Sequence, residues 1–122
     1  MRVVIVDTDL AEGRRSAAQI EQLLPDADVL LYNASDAGLA AITEHRPDVV
    51  LVGPAVGAVD GPQFLAGAAA VADRPKYVGM VPETDPDWST RYIEAGASLV
   101  VGRPLSRLDA RNALRHAGNG IP

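Results

Sequence analysis

Two carboxylates, Asp7 and Asp9, flank Thr8 straight after the apolar run Val3 to Val6, and Arg103 precedes Pro104 near the other end of the chain. Carboxylate oxygens gathered this way can hold a hard divalent cation. A guanidinium beside them can steady an anion. Two carboxylates with backbone carbonyls still make a poor magnesium site, because magnesium in proteins leans on substrate phosphates for further ligands. Asp9 also has a competing duty: Asp is a preferred N-cap, and a helical pattern starts directly after it. No metal is expected on these grounds. The chain has no cysteine, which excludes disulfides, thiol nucleophiles and cysteine-ligated metal. His45 and His116 are far apart and read as polar residues near helix C-termini. Gly53-Pro54 and Gly57 fit neither G-x-G-x-x-G nor the Walker spacing. Nothing pairs a nucleophile with a base, so neither an enzyme nor a cofactor is expected.

The elements that must position these residues alternate regularly. Strands are expected at Val3 to Val6, Asp28 to Tyr32, Val49 to Val52, Tyr77 to Val81 and Leu99 to Val101. Helices are expected after each. Asp9 caps the first, which runs to about Leu24 with Ala17, Ile20 and Leu24 on one face. Ser35 caps the second, which buries Leu39 and Ile42 and stops before Pro47. The third spans Gly61 to Ala72 after the Asp60-Gly61 turn. Asp85-Pro86 opens the fourth, and Gly96 closes it. Ser106 with Asp109 starts the fifth, which ends near Ala117-Gly118. Five strand–helix units imply a parallel sheet covered on both faces, and the near-continuous apolar strands agree. Right-handed crossovers favour the flavodoxin-like (βα)5 order 2-1-3-4-5. Ligands of such sheets sit beyond the carboxyl ends of the strands, near the switch between the first and third. That locus gathers Asp7, Thr8, Asp9, Gly53, Pro82 and Arg103.

Four segments, VVIVDTD at 3–9, PDVVLVGPAVGAVDGPQFL at 47–65, IEAGA at 93–97 and VGRPLS at 101–106, resemble the receiver domain of response regulators. The resemblance spans nearly the whole chain. It implies a site where acids after the first strand hold magnesium and an aspartate after the third strand accepts a phosphoryl group. A serine or threonine follows the fourth strand, and a lysine precedes a proline after the fifth. Positive charge on the phosphoryl oxygens is what such a transfer requires. This chain matches the first acid with Asp7 but has Thr8 at the second. Gly53 stands in place of the acceptor, Pro82 in place of the hydroxyl residue and Arg103 in place of the lysine. Val100 stands where an aromatic switch residue is usual. The resemblance thus implies a pseudo-receiver, in which Arg103 pairs with Asp7 or Asp9 and the Arg103-Pro104 bond is cis.

In that family the fourth helix, fifth strand and fifth helix form the usual partner and dimer surface. The fourth helix carries two stripes here. One is Ser89, Ile93 and Ala97; the other is Trp88, Arg91, Tyr92 and Ala95. With Ile93 inward, Trp88, Arg91 and Tyr92 face outward as hot-spot residue types, extended by Arg107, Arg111 and Leu114; the other reading is that Trp88 and Tyr92 fold down over the fourth helix or its preceding loop. The expected function is protein–protein regulation of an output domain, DNA-binding or ATPase, fused or separate. The alternative is a small anionic ligand beside Gly53 and Arg103.

Composition bounds the rest. One domain of 122 residues with 48% hydrophobic residues suits a globular fold. With 11 basic and 16 acidic residues the net charge is −5, which disfavours direct nucleic-acid binding. No signal peptide or apolar run of membrane-spanning length is visible, so a cytoplasmic location is expected. Residues 118–122 read as a frayed tail or the start of a linker.

Overall fold

The computed structural model describes residues 1–82 and 86–117. The order is β1 (Arg2–Val6), α1 (Leu10–Leu23), β2 (Asp28–Tyr32), α2 (Ser35–His45), β3 (Val49–Val52), a ribbon of β4 (Ala55–Val56) and β5 (Val59–Asp60), α3 (Gly61–Val71), β6 (Lys76–Val81), α4 (Pro86–Ala95), β7 (Leu99–Gly102) and α5 (Arg107–Ala117). The five long strands form one parallel sheet ordered β2-β1-β3-β6-β7. Counting only those strands, this is the expected 2-1-3-4-5 order.

Strand alternation divides the core into two layers. Val3, Ile5, Val49, Leu51, Val78 and Met80 face α1 and α5, where they meet Ile20, Ala110, Ala113 and Leu114. Val4, Val6, Val50, Val52 and Tyr77 face α2, α3 and α4, where they meet Ile42, Phe64, Leu65 and Tyr92. A strand buried on both sides has no room for polar residues, which explains the unbroken apolar runs.

The helix starts follow the capping chemistry in most cases. Asp9 accepts hydrogen bonds from the Ala11 and Glu12 amides. Asp60 forms a full capping box with Gln63 at the start of α3. The Ser106 hydroxyl accepts from the Asp109 amide. Ser35 is a correction: it is the first residue of α2, and Ala34 before it occupies the cap position without a side-chain bond. Pro86 opens α4, while Asp85 lies outside the described residues. The β4–β5 ribbon was not expected. It is an antiparallel pair of two-residue strands, turned by Gly57 at a φ of 63° that glycine adopts freely.

Candidate functional site

The carboxyl ends of β1, β3, β6 and β7 bring the expected residues to one end of the sheet. Asp7 directly follows β1 and is 1% exposed. Gly53 directly follows β3 and is also buried; its amide donates to the Val6 carbonyl at 2.9 Å. The two residues point to the same face. A methyl carbon placed on Gly53 would lie under 3.0 Å from the Asp7 carboxyl carbon and from both its oxygens. The space that a side chain at position 53 would use is therefore filled by Asp7.

Asp7 is held by two bonds of different kinds. Its Oδ1 accepts from the Asp9 amide at 2.9 Å and faces Arg103 Nη2 at 3.5 Å. Its Oδ2 has no hydrogen-bond partner. Burial pushes the Asp7 carboxyl above its usual pKa; the Asp9 amide and the Arg103 charge oppose that shift without cancelling it.

Arg103 lies among three acids. Nη2 is 3.4 Å from Asp9 Oδ2, and Nε is 3.9 Å from Glu12 Oε2. Both expected partners are present, and Glu12 is a third that the sequence reading missed. Its signal was its place one turn into α1, three residues after the cap. Glu12 is shared, because its Oε1 also pairs with Arg15 at 2.6 Å. The Arg103–Pro104 peptide bond is cis. Asp9, Glu12, Pro82, Arg103 and Pro104 line an open cleft of about 340 Å³.

Thr8, between the two acids, serves as a clamp. Its hydroxyl accepts from the Gly57 amide at 2.7 Å, and its amide donates to the Ala55 carbonyl at 2.9 Å. Together these bonds fasten the β4–β5 ribbon to the end of β1.

A divalent ion does not fit this cleft as it stands. The acids converge on a guanidinium, which is already a cation, and among the described residues no group of three or more acidic or imidazole side chains is arranged to hold a metal.

The fourth helix corrects the expected interaction face. Tyr92 is fully buried and Ile93 is 54% exposed, so Tyr92 and not Ile93 turns inward, with Trp88 and Ala95 half-buried beside it and Arg91 exposed. The cause lies in two glycines on other elements. The Tyr92 ring occupies the space where β-carbons of Gly79 and Gly61 would otherwise sit. Its hydroxyl lies within donating distance of the Val52 carbonyl at 3.1 Å and the Gly53 carbonyl at 3.0 Å. Burial drives the Tyr92 phenol far above its ordinary pKa, and the Asp7 and Asp60 charges add to this. Trp88 is half-buried against the same core layer, its ring tilted toward Tyr92 at 6.1 Å. Arg91 lies over Trp88 at 4.8 Å and ion-pairs with Asp60. Leu114 is also fully buried, in the layer beneath α5. Of the expected face, Arg107 is exposed and Arg111 half-exposed, while Leu108, not foreseen, is 64% exposed.

No protein-family model and no curated protein matches the sequence. Solved structures do match in fold. A CheY-like response regulator receiver domain protein from Methanospirillum hungatei superposes with a TM-score of 0.81 at 20% identity, covering 94% of this chain and 90% of that one. The receiver domain of NtrX from Brucella abortus gives 0.84 at 16% identity, covering 94% and 96%. The signal receiver domain of a DNA-binding response regulator from Colwellia psychrerythraea gives 0.82 at 22% identity, covering 95% and 97%. The chain therefore has the receiver-domain fold, the flavodoxin-like arrangement of five parallel strands and five helices.

Proposed function

We propose that this domain is a pseudo-receiver: a signalling module that accepts no phosphoryl group and acts through protein contacts. The observation that carries the reading is the end of β3. Gly53 has no side chain, and Asp7 fills the space beside it. Pro82 and Val100 supply neither the hydroxyl nor the aromatic group that a phosphorylation-driven relay uses. Asp60, the next acid along, is committed to capping α3 and to Arg91. Contacts with a partner, a second copy or an output domain fall to the outer sides of α4 and α5 and to edge strand β7. Ile93, Arg107, Leu108 and Arg111 are the side chains available there, flanked by Trp88 and Arg91. In the Colwellia protein such a domain belongs to a DNA-binding response regulator, and an output of that kind suits this reading.

Charge disfavours the anionic-ligand alternative. Asp7, Asp9 and Glu12 surround Arg103, and Arg15 pairs with Glu12. An arriving anion meets more carboxylate than guanidinium.

Acetyl phosphate with magnesium, followed by intact-protein mass measurement, tests the reading. No adduct is expected. A stable phosphoryl adduct on Asp7, Asp9 or any other acid of the cleft would sink it.

A further inference from the structure

We propose that the opposite end of the sheet carries an anion site, in which Arg46, Arg74 and Lys76 receive the phosphate of a small phosphate monoester. The site lies where the strands enter the sheet, away from the cleft at their carboxyl ends. It holds whether or not that cleft accepts a phosphoryl group.

Two neighbouring strands enter through the same pattern. Arg46-Pro47-Asp48 leads into β3, and Arg74-Pro75-Lys76 leads into β6. The entries lie side by side: Val49 pairs with Lys76, and the Lys76 amide donates to the Asp48 carbonyl at 3.0 Å. Both prolines are buried, and the arginine before each is exposed. A proline's fixed φ makes each a rigid post. Arg46, Pro47, Asp48, Arg74, Lys76 and Ala117 line one hollow of about 350 Å³.

Charge in this hollow is unbalanced. Three cations face one carboxylate, a surplus of two positive charges. None of the three makes an ion pair with a described residue, whereas Arg103 at the other end has three acids around it. Asp48 is partly committed elsewhere, since its Oδ2 accepts from the Arg2 amide at 2.8 Å. A phosphate monoester carries close to two negative charges above about pH 7 and so matches the surplus. Arginine forks suit its oxygens, and lysine adds a point charge.

The backbone supplies a second observation. Arg46 has φ 49° and ψ 61°, and it is the one non-glycine residue at positive φ among the described residues. Glycine or asparagine is the easy choice in that conformation after a helix, and a residue before proline favours extended backbone. The C-terminus of α2 welcomes a cation, but that attraction does not require this conformation. Such outliers cluster where a side chain must be held for binding. Arg46 and Arg74 also border an adjoining hollow of about 220 Å³, with Ile42, Val71 and Pro75 on its wall. Val71 is 61% exposed there. That wall gives the carbon part of the ester an apolar rest.

Phenyl phosphate and inorganic phosphate, titrated at about pH 8 and constant ionic strength into isotope-labelled protein, test the site by amide NMR. Saturable shifts are expected at Arg46, Asp48, Arg74 and Lys76, with phenyl phosphate binding more tightly than inorganic phosphate. Arg46→Gly should melt higher than wild type, because glycine adopts the left-handed backbone freely, yet bind phenyl phosphate at least tenfold more weakly. Arg74→Gln should weaken binding similarly. Arg14→Gln, which removes an exposed cation on α1, should leave it unchanged. Absence of saturation at millimolar phenyl phosphate overturns the proposal, as do shifts centred on Asp7 and Arg103. Wild-type affinity in Arg46→Gly overturns it, and so does an equal loss in Arg14→Gln and Arg74→Gln. An Arg46→Gly variant that melts lower than wild type makes the arginine a packing residue and overturns it as well.

Discussion

At the scale of single residues, the chemistry of this domain turns on Asp7 and Gly53. The absence of a side chain at 53 lets the Asp7 carboxylate settle against the backbone of β3. An aspartate placed there would compete with Asp7 for one space. Gly53→Asp should lower the melting temperature and still take no phosphoryl group from acetyl phosphate, read by intact mass; a modified, fully stable variant would show that the slot is open. Asp7 carries a second consequence. Its folded pKa is raised above the ordinary 3.8 by burial, so the folded state binds the proton more tightly than the unfolded chain does. The contribution is favourable at low pH and is lost as pH rises through that range. Asp7→Asn removes the titration. The variant should gain stability relative to wild type as pH increases, and the gap should close below about 3.8. Thermal melts across pH decide this, and a gap that shrinks with rising pH contradicts it. Tyr77, whose hydroxyl donates to the Ala72 carbonyl at the end of α3, is pushed up to about 12 by burial and stays neutral throughout.

At the scale of elements, α4 is set by one aromatic residue and the glycines opposite it. Two stripes compete on this helix, and both have the right spacing. Tyr92 takes the inner position because Gly79 of β6 and Gly61 of α3 leave room for its ring, and because its hydroxyl can donate to a carbonyl at the end of β3. Ile93 can offer no hydrogen bond to those carbonyls. Tyr92→Phe should cost about 0.5–1.5 kcal/mol in denaturant unfolding, the range for losing one buried hydrogen bond. Gly79→Ala should cost about 1–3 kcal/mol, since the methyl and the ring cannot share the space. Near-zero costs in both would mean that α4 is held by other contacts. The latch also ties α4 to the strand end at Gly53, so the fourth helix and the acidic cleft are joined by one side chain. The β4–β5 ribbon makes a similar join on the other side, through Thr8.

At the scale of the whole molecule, two apolar layers around a parallel sheet carry the fold, and Ile93 and Leu108 remain exposed on helices that flank edge strand β7. Among the described residues no helix is long and apolar enough to cross a membrane. If this side is the contact surface, Ile93→Glu with Leu108→Glu should abolish self-association or partner binding in sedimentation experiments while leaving the unfolding midpoint within about 0.5 kcal/mol of wild type, as is usual for surface changes. Unchanged association would move the interface elsewhere. The sequence by itself determined the alternation of strands and helices, the sheet order, the cap at Asp9, the turn at Asp60 and the bare glycine at the end of β3. Those features depend on local periodicity, turn chemistry and the presence or absence of one side chain, all of which are written along the chain. Only the tertiary structure decided which stripe of α4 turns inward, that Leu114 is core, that Glu12 joins Arg103, and that Asp7 fills the slot beside Gly53. Each of these depends on a cavity or a charge supplied by an element distant in sequence, and a helix or strand carries no record of the space its neighbours leave open.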